Sequence, residues 1–231
     1  MMHRTSYLLG LIALALLSAC GPSHELARYD FAGMQFHYRS LVASDAAQAR
    51  IDIDAPAPTG GIGAIITGIG SDILSGEAHS KLNNAVRPAG VASAINRGVE
   101  RTVTTYMSGK TADEIDDNTA FILETVLRQC DIVSRASGLF LRIKATSMLL
   151  DRRSGENIWD EDQGFSTPIS YTPSGNIPVP GVGTAASVAN AVRFFSLSEQ
   201  EIQDAVLRAA ADVGEGIGRK LREDYAESRK K

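Results

Sequence analysis

The sequence predicts an α+β fold: an antiparallel β-meander with amphipathic helices packed on one face. Three observations point there. Residues 121–149 alternate apolar and polar side chains, the pattern of a sheet with one face buried and one wet. Residues 91–106 and 202–221 instead repeat apolar side chains at helical spacing. Between two of the alternating segments lies Asp151-Arg152-Arg153-Ser154-Gly155, a turn in which Gly155 is free to take positive φ.

Length and composition fit one packed domain. The chain has 231 residues, 44% of them apolar, enough for a core and too apolar for wholesale disorder. The expected division is a leader over 1–19, a tether over 20–30, and a single α/β domain over 31–225. Within that domain an uncharged insertion is expected at about 163–192. A formal charge of −4 carries no footprint for nucleic acid.

Taken in order, the leader has Arg4 followed by an uncharged run from Leu8 to Ala19. That run is shorter than the about 20 apolar residues a membrane-spanning helix needs. Residues 31–43, rich in aromatics, predict a first strand, and residues 50–54, with Ile51 and Ile53 on one face, a second. A helix is expected from about Ile62 to Asn84. Another is expected over 91–107, with Val91, Ile95, Val99, Val103 and Tyr106 on one stripe.

Three strands follow the acidic turn 112–118. The first sets Phe121, Leu123, Thr125 and Leu127 against Ile122, Glu124, Val126 and Arg128. The second sets Leu139, Leu141, Ile143, Ala145 and Leu149 against Arg142, Lys144 and Thr146. The third carries Trp159, expected to pack at an edge of the sheet near the last helix. That helix opens with a capping box of Ser198 and Glu201, stapled by Leu197 and Ile202. Gly214 and Gly218 inside it each cost about 1 kcal/mol against alanine, which predicts a close approach to the sheet or a kink.

The search for chemistry yields no catalytic, cofactor-binding or metal-binding residue. The stretch from Gly63 has the spacing of a phosphate loop, but Ile69 and Gly70 stand where lysine and a hydroxyl residue belong. His24, His37 and His79 are scattered, and no CxxC, HExxH or EF-hand spacing occurs. Asp113, Glu114, Asp116 and Asp117 read as a solvated acidic loop. Asp160, Glu161 and Asp162 are neighbours on a strand, whose side chains alternate between faces. Cys130 reads as a small buried hydrophobe.

Charge is absent from Gln163 to Val192 and from Ala55 to Ser71. Interface cores are depleted in charge, so these stretches are expected to pack within the chain, against a protein partner, or against membrane, in that order.

Leu17-Ser18-Ala19-Cys20 resembles the lipobox of bacterial lipoproteins. The resemblance implies cleavage before Cys20, lipidation of its thiol, and a membrane held through that anchor. Gly21 in second place, rather than aspartate, implies the periplasmic face of the outer membrane. Residues 149–159, LLDRRSGENIW, resemble the Asp-x-x-Ser/Thr-Gly-x-x-Ile/Val-Trp hairpin of many envelope lipoproteins. The surrounding order of helix, strands and alanine-rich last helix is similar to the α/β domain of the curli-secretion lipoprotein and of penicillin-binding-protein activators. It is also similar to transporter-auxiliary lipoproteins. The resemblance implies a non-enzymatic binding, assembly or transport-auxiliary component, with an envelope protein or a second copy as partner and no cofactor. The alternative is a periplasmic hydrolase or small-ligand-binding lipoprotein.

Overall fold

The computed structural model describes residues 25–47, 50–53, 76–171 and 182–230. After a 3-10 turn at Glu25–Arg28 come strand β1 (Gln35–Val42), a 3-10 turn at Ser44–Ala46, and β2 (Arg50–Ile53). Helices α1 (Gly76–Ala85) and α2 (Pro88–Tyr106) lead to β3 (Lys110–Ala112), β4 (Thr119–Arg135), β5 (Gly138–Asp151) and β6 (Asn157–Tyr171). Helices α3 (Val182–Ser196) and α4 (Glu199–Ser228) close the described chain.

The six strands form one mixed sheet of order β3-β1-β4-β5-β6, with β2 also pairing β4. β4, β5 and β6 pair antiparallel in chain order. The expectation of a wholly antiparallel meander is corrected at the other edge: β1 pairs both β3 and β4 in parallel, and β2 pairs β4 in parallel. The chain between β1 and β4 contains α2, and a helical crossover returns it to the side from which β1 started. β1 lies along residues 119–127 of β4 and β2 along 131–134, so one edge of a long strand serves both.

The alternation expected in β4 and β5 is present, with one interruption. Phe121, Leu123, Thr125 and Leu127 are buried; a register shift between Leu127 and Gln129 then moves Cys130, Ile132 and Ser134 onto the same face. Arg128 occupies the bulge and is exposed. A bulge adds one residue to one strand and so reverses its parity. The opposing β5 residues Leu139, Leu141, Ile143, Ala145 and Leu149 are all buried.

α2 starts with Pro88 in its first turn, where the ring's fixed φ suits a helix and no N–H is needed. It stops at Met107, followed by Ser108 at φ 55. Gly109 comes next, and a side chain there would meet Phe36 and Val103 at 2.9 Å. α4 carries the expected capping box in full. At about 1.5 Å per residue it runs about 45 Å, nearly the length of the sheet.

Gly214 and Gly218 face α2 rather than the sheet. A Cβ on Gly214 would stand 1.9 Å from the Ile95 carbonyl oxygen, and one on Gly98 would stand 2.1 Å from that of Ala211. The two helices cross backbone to backbone. Gly216, between them on α4, is the one that meets the sheet, at Phe165.

The helix expected from about Ile62 begins at Gly76 in the described chain, and residues 62–75 lie outside the described residues. Of the uncharged stretch 163–192, residues 163–171 belong to β6 and 182–192 to α3, while 172–181 lie outside. No helix over 182–196 was expected, because its small and apolar residues show neither a stripe nor a charged face.

Candidate functional site

Cys20, which the lipobox resemblance implies is lipidated, lies outside the described residues, as does the whole stretch 55–71. The structure does place the point where the chain from Cys20 enters the fold. Leu26, in the first described turn, is 0% exposed, and so is Phe31. Phe31 packs edge-on against Phe121 with ring centres 5.0 Å apart and lies 4.7 Å from the ring of Tyr225. The Tyr225 hydroxyl donates to the Tyr29 carbonyl at 3.2 Å. Strand, helix and entering chain are thus locked at one end of the sheet, the near pole. Five peptide links from Cys20 to Glu25 span at most about 18 Å, which bounds the distance of Cys20 from this pole.

The opposite, far pole is the β4–β5 hairpin, residues 135–138. The Ser134 hydroxyl donates to the Ser187 carbonyl at 2.6 Å and Asn190 donates to the Arg135 carbonyl at 2.8 Å, seating α3 there. Ile53 pairs with Ser134 and Tyr171 with Gly138. The strands that lead into 54–75 and 172–181 therefore both end at the far pole.

Two sets of charged side chains join neighbouring strands of the sheet. Arg39 pairs with Glu124, which is 10% exposed at its side chain. Arg142 reaches Asp131 at 3.1 Å and Asp52 at 3.0 Å, joining β5, β4 and β2. Asp131 also accepts from Gln129. These contacts fasten the short strand β2 to the sheet.

The acidic loop is ordered by its own chain. Asp116 accepts from the Asn118 and Thr119 backbone N–H groups at 3.0 and 2.9 Å and from the Thr119 hydroxyl at 3.0 Å. The Thr119 hydroxyl foremost, with those other donors, holds its carboxyl below the usual range. Asp160 and Asp162 are exposed, whereas Glu161 is half-buried and accepts from Gln163 at 2.7 Å. The three acids thus do not converge. Cys130 is 2% exposed, and burial, with the neighbouring Asp131 charge, pushes its thiol up to about 12; a thiol so held is protonated and a poor nucleophile. His37 lies 3.2 Å through Nδ1 from the Ala112 carbonyl. Among the described residues no group of acidic, His and Cys side chains has metal-site geometry, and no helix is long and apolar enough to cross a membrane.

No protein-family model matches the chain, and no curated protein matches it. Solved structures similar to it include protein XCC0632 of Xanthomonas campestris, from family DUF330, at 14% identity over 84% of this chain and 89% of that one, with a TM-score of 0.38. Another is the PelC dodecamer of Paraburkholderia phytofirmans, at 12% identity over 70% and 85% of the two chains and a TM-score of 0.27. A third is lipoprotein GNA1162 of Neisseria meningitidis, at 11% identity over 71% and 98%, with a TM-score of 0.23. Scores this low carry no argument about what this chain does.

Proposed function

We propose that this protein is a lipid-anchored, non-enzymatic component of the bacterial envelope, held through Cys20 at the periplasmic face of the outer membrane. Its role is to bind another envelope component in assembly or transport. One observation carries the reading. The lipobox-like Leu17-Ser18-Ala19-Cys20 is followed, after only five residues, by Leu26 buried completely in the near pole. A leader that ends where a core begins makes a short leash. Two or more acyl chains make such an anchor durable, because each buried CH₂ adds about 0.8 kcal/mol. Strands β2 and β6 both end at the far pole, opposite the pole that buries Leu26. Metabolic labelling with a fatty-acid analogue tests the anchor: the natural chain takes up label and sediments with membranes, and Cys20→Ala does neither. Label retained by Cys20→Ala overturns the reading.

A further inference from the structure

Five large apolar side chains are exposed among the described residues, and three of them, Met34, Tyr106 and Ile115, stand just outside the strand ends at the near pole. Of the other two, Leu41 is on the wet face of the sheet and Val192 on α3 at the far pole. Backbone contacts bring the three together. Gly33 N–H donates to the Ser108 carbonyl and Lys110 N–H to the Met34 carbonyl, both at 2.8 Å, so Met34 lies beside the chain that leaves Tyr106. The Thr119 hydroxyl lies 3.3 Å from the Glu114 carbonyl oxygen, and Thr119 pairs with Gln35, which sets Ile115 near the same strand end. Tyr106 has the phase of a core residue. It follows Val99 by seven positions and Val103 by three, both 0% exposed, yet is itself 63% exposed. Val103 and Phe36 both crowd Gly109, so α2 is already level with the start of β1 there. Tyr106, nearly a turn further on, passes its end.

We infer that the near pole rests on the headgroup layer of the bilayer that the anchor enters, with Met34, Tyr106 and Ile115 dipping into it. The inference rests on the lipid-anchor reading, and chain length selects the occupant. Cys20 stands at most about 18 Å from Glu25 at this pole. β4 alone, 17 residues at about 3.3 Å each, carries the sheet about 55 Å toward the far pole. The end of the molecule that the anchor reaches is thus the end that gathers the exposed apolar side chains.

The chemistry of the pole selects the kind of lipid. A tyrosine ring with a polar tip suits the headgroup level, and the Arg222 guanidinium, 5.1 Å from the centre of the Tyr106 ring, keeps its charge there on an apolar stem. Exposed charges of both signs share this pole, Lys110 and Arg153 against Asp113, Glu114 and Asp117. They give anionic lipid no advantage, so the surface is zwitterionic, of the phosphatidylethanolamine kind. Contact through apolar side chains is insensitive to added salt, which screens charges alone. Three side chains make a weak contact by themselves. The anchor supplies the local concentration that lets it form.

The test uses the full acylated chain in vesicles of phosphatidylethanolamine and phosphatidylcholine, some of the lipid carrying a nitroxide on its headgroup. A fluorophore is placed by Arg153→Cys at the near pole, Ser137→Cys at the far pole or Asp160→Cys on the wet face; buried Cys130 does not compete for it. The nitroxide is expected to quench the label at 153 and to leave those at 137 and 160 bright, at low and at high salt. Adding Met34→Ser, Ile115→Ser and Tyr106→Ser together abolishes the quenching without lowering the melting temperature, and Tyr106→Ser alone reduces it. Quenching that survives all three serines overturns the contact, since the tether then holds the pole near the lipid unaided. Quenching at 160 as strong as at 153 also overturns it, since the sheet then lies flat. Fatty-acid labelling judges the anchor separately. A chain that takes up acyl label but shows no quenching at 153 overturns the contact and leaves the anchor standing. A chain that takes up none overturns the anchor, and the same quenching on the Cys20→Ala chain then judges the contact: a signal that the serines abolish upholds it, and no signal overturns it.

Discussion

The indole Nε1 of Trp159 donates to Asp224 Oδ2 at 3.0 Å, joining the edge strand β6 to the last turns of α4. The ring is 1% exposed, and Lys220 pairs with the same carboxylate one turn earlier. Trp159→Ala removes ring and donor together and is expected to lower stability by about 3–5 kcal/mol. Asp224→Ala leaves the ring in place but removes this acceptor from its N–H, for about 1–3 kcal/mol. Denaturant unfolding of both variants checks the order, with Trp159→Ala the larger loss.

Gly214→Ala tests the crossing of α2 and α4. Helix propensity favours alanine by about 1 kcal/mol. The added Cβ lands 1.9 Å from the Ile95 carbonyl oxygen, a backbone atom that gives way only if the helices separate. Overpacking costs about 1–3 kcal/mol and often more where backbone must move, so the clash wins. The expected outcome is a lowered melting temperature.

Thr125 and Ser147 are both 0% exposed and meet across β4 and β5, with hydroxyl oxygens 3.2 Å apart. Either Thr125→Val or Ser147→Ala leaves one hydroxyl buried without this partner, a loss of about 1–3 kcal/mol. The double variant is expected to cost less than the two single losses added together, because no unpaired hydroxyl is left. A double-mutant cycle in denaturant measures the difference.

The start of α4 carries a pH dependence. Ser198 N–H donates to Glu201 Oε2 at 2.8 Å, and Glu201 N–H donates to the Ser198 hydroxyl oxygen at 3.2 Å. The Ser198 backbone N–H, then its hydroxyl, hold the Glu201 carboxyl below its ordinary value. A depressed folded value means that this contribution is present above the unfolded value, about 4.3, and lost as pH falls through the folded one. The difference in melting temperature between the natural chain and Glu201→Gln is therefore expected to be steady near neutrality and to shrink below about pH 4. Ser198→Ala is expected to cost about 1 kcal/mol at neutral pH.

Local rules were enough for much of this protein. The alternation from Leu139 to Leu149, the turn with Gly155 at φ 74, the stripe from Val91 to Val103 and the Ser198–Glu201 box appear where the sequence placed them, whereas Tyr106, expected on that stripe, is 63% exposed. Each depends on residues within a few positions of one another, and backbone geometry turns such spacing directly into a face, a turn or a cap. Tertiary structure decided the rest. Periodicity says which face of a strand is apolar but not which strand lies beside it, because backbone hydrogen-bonding groups are alike at every residue. The parallel seats of β1 and β2 along β4 were therefore not legible. The turn of Gly214 toward Gly98 rather than the sheet needed both helices in place, since a glycine records that something comes close without recording what. The Arg128 bulge, which reverses the parity of β4, has no signature in its own residues.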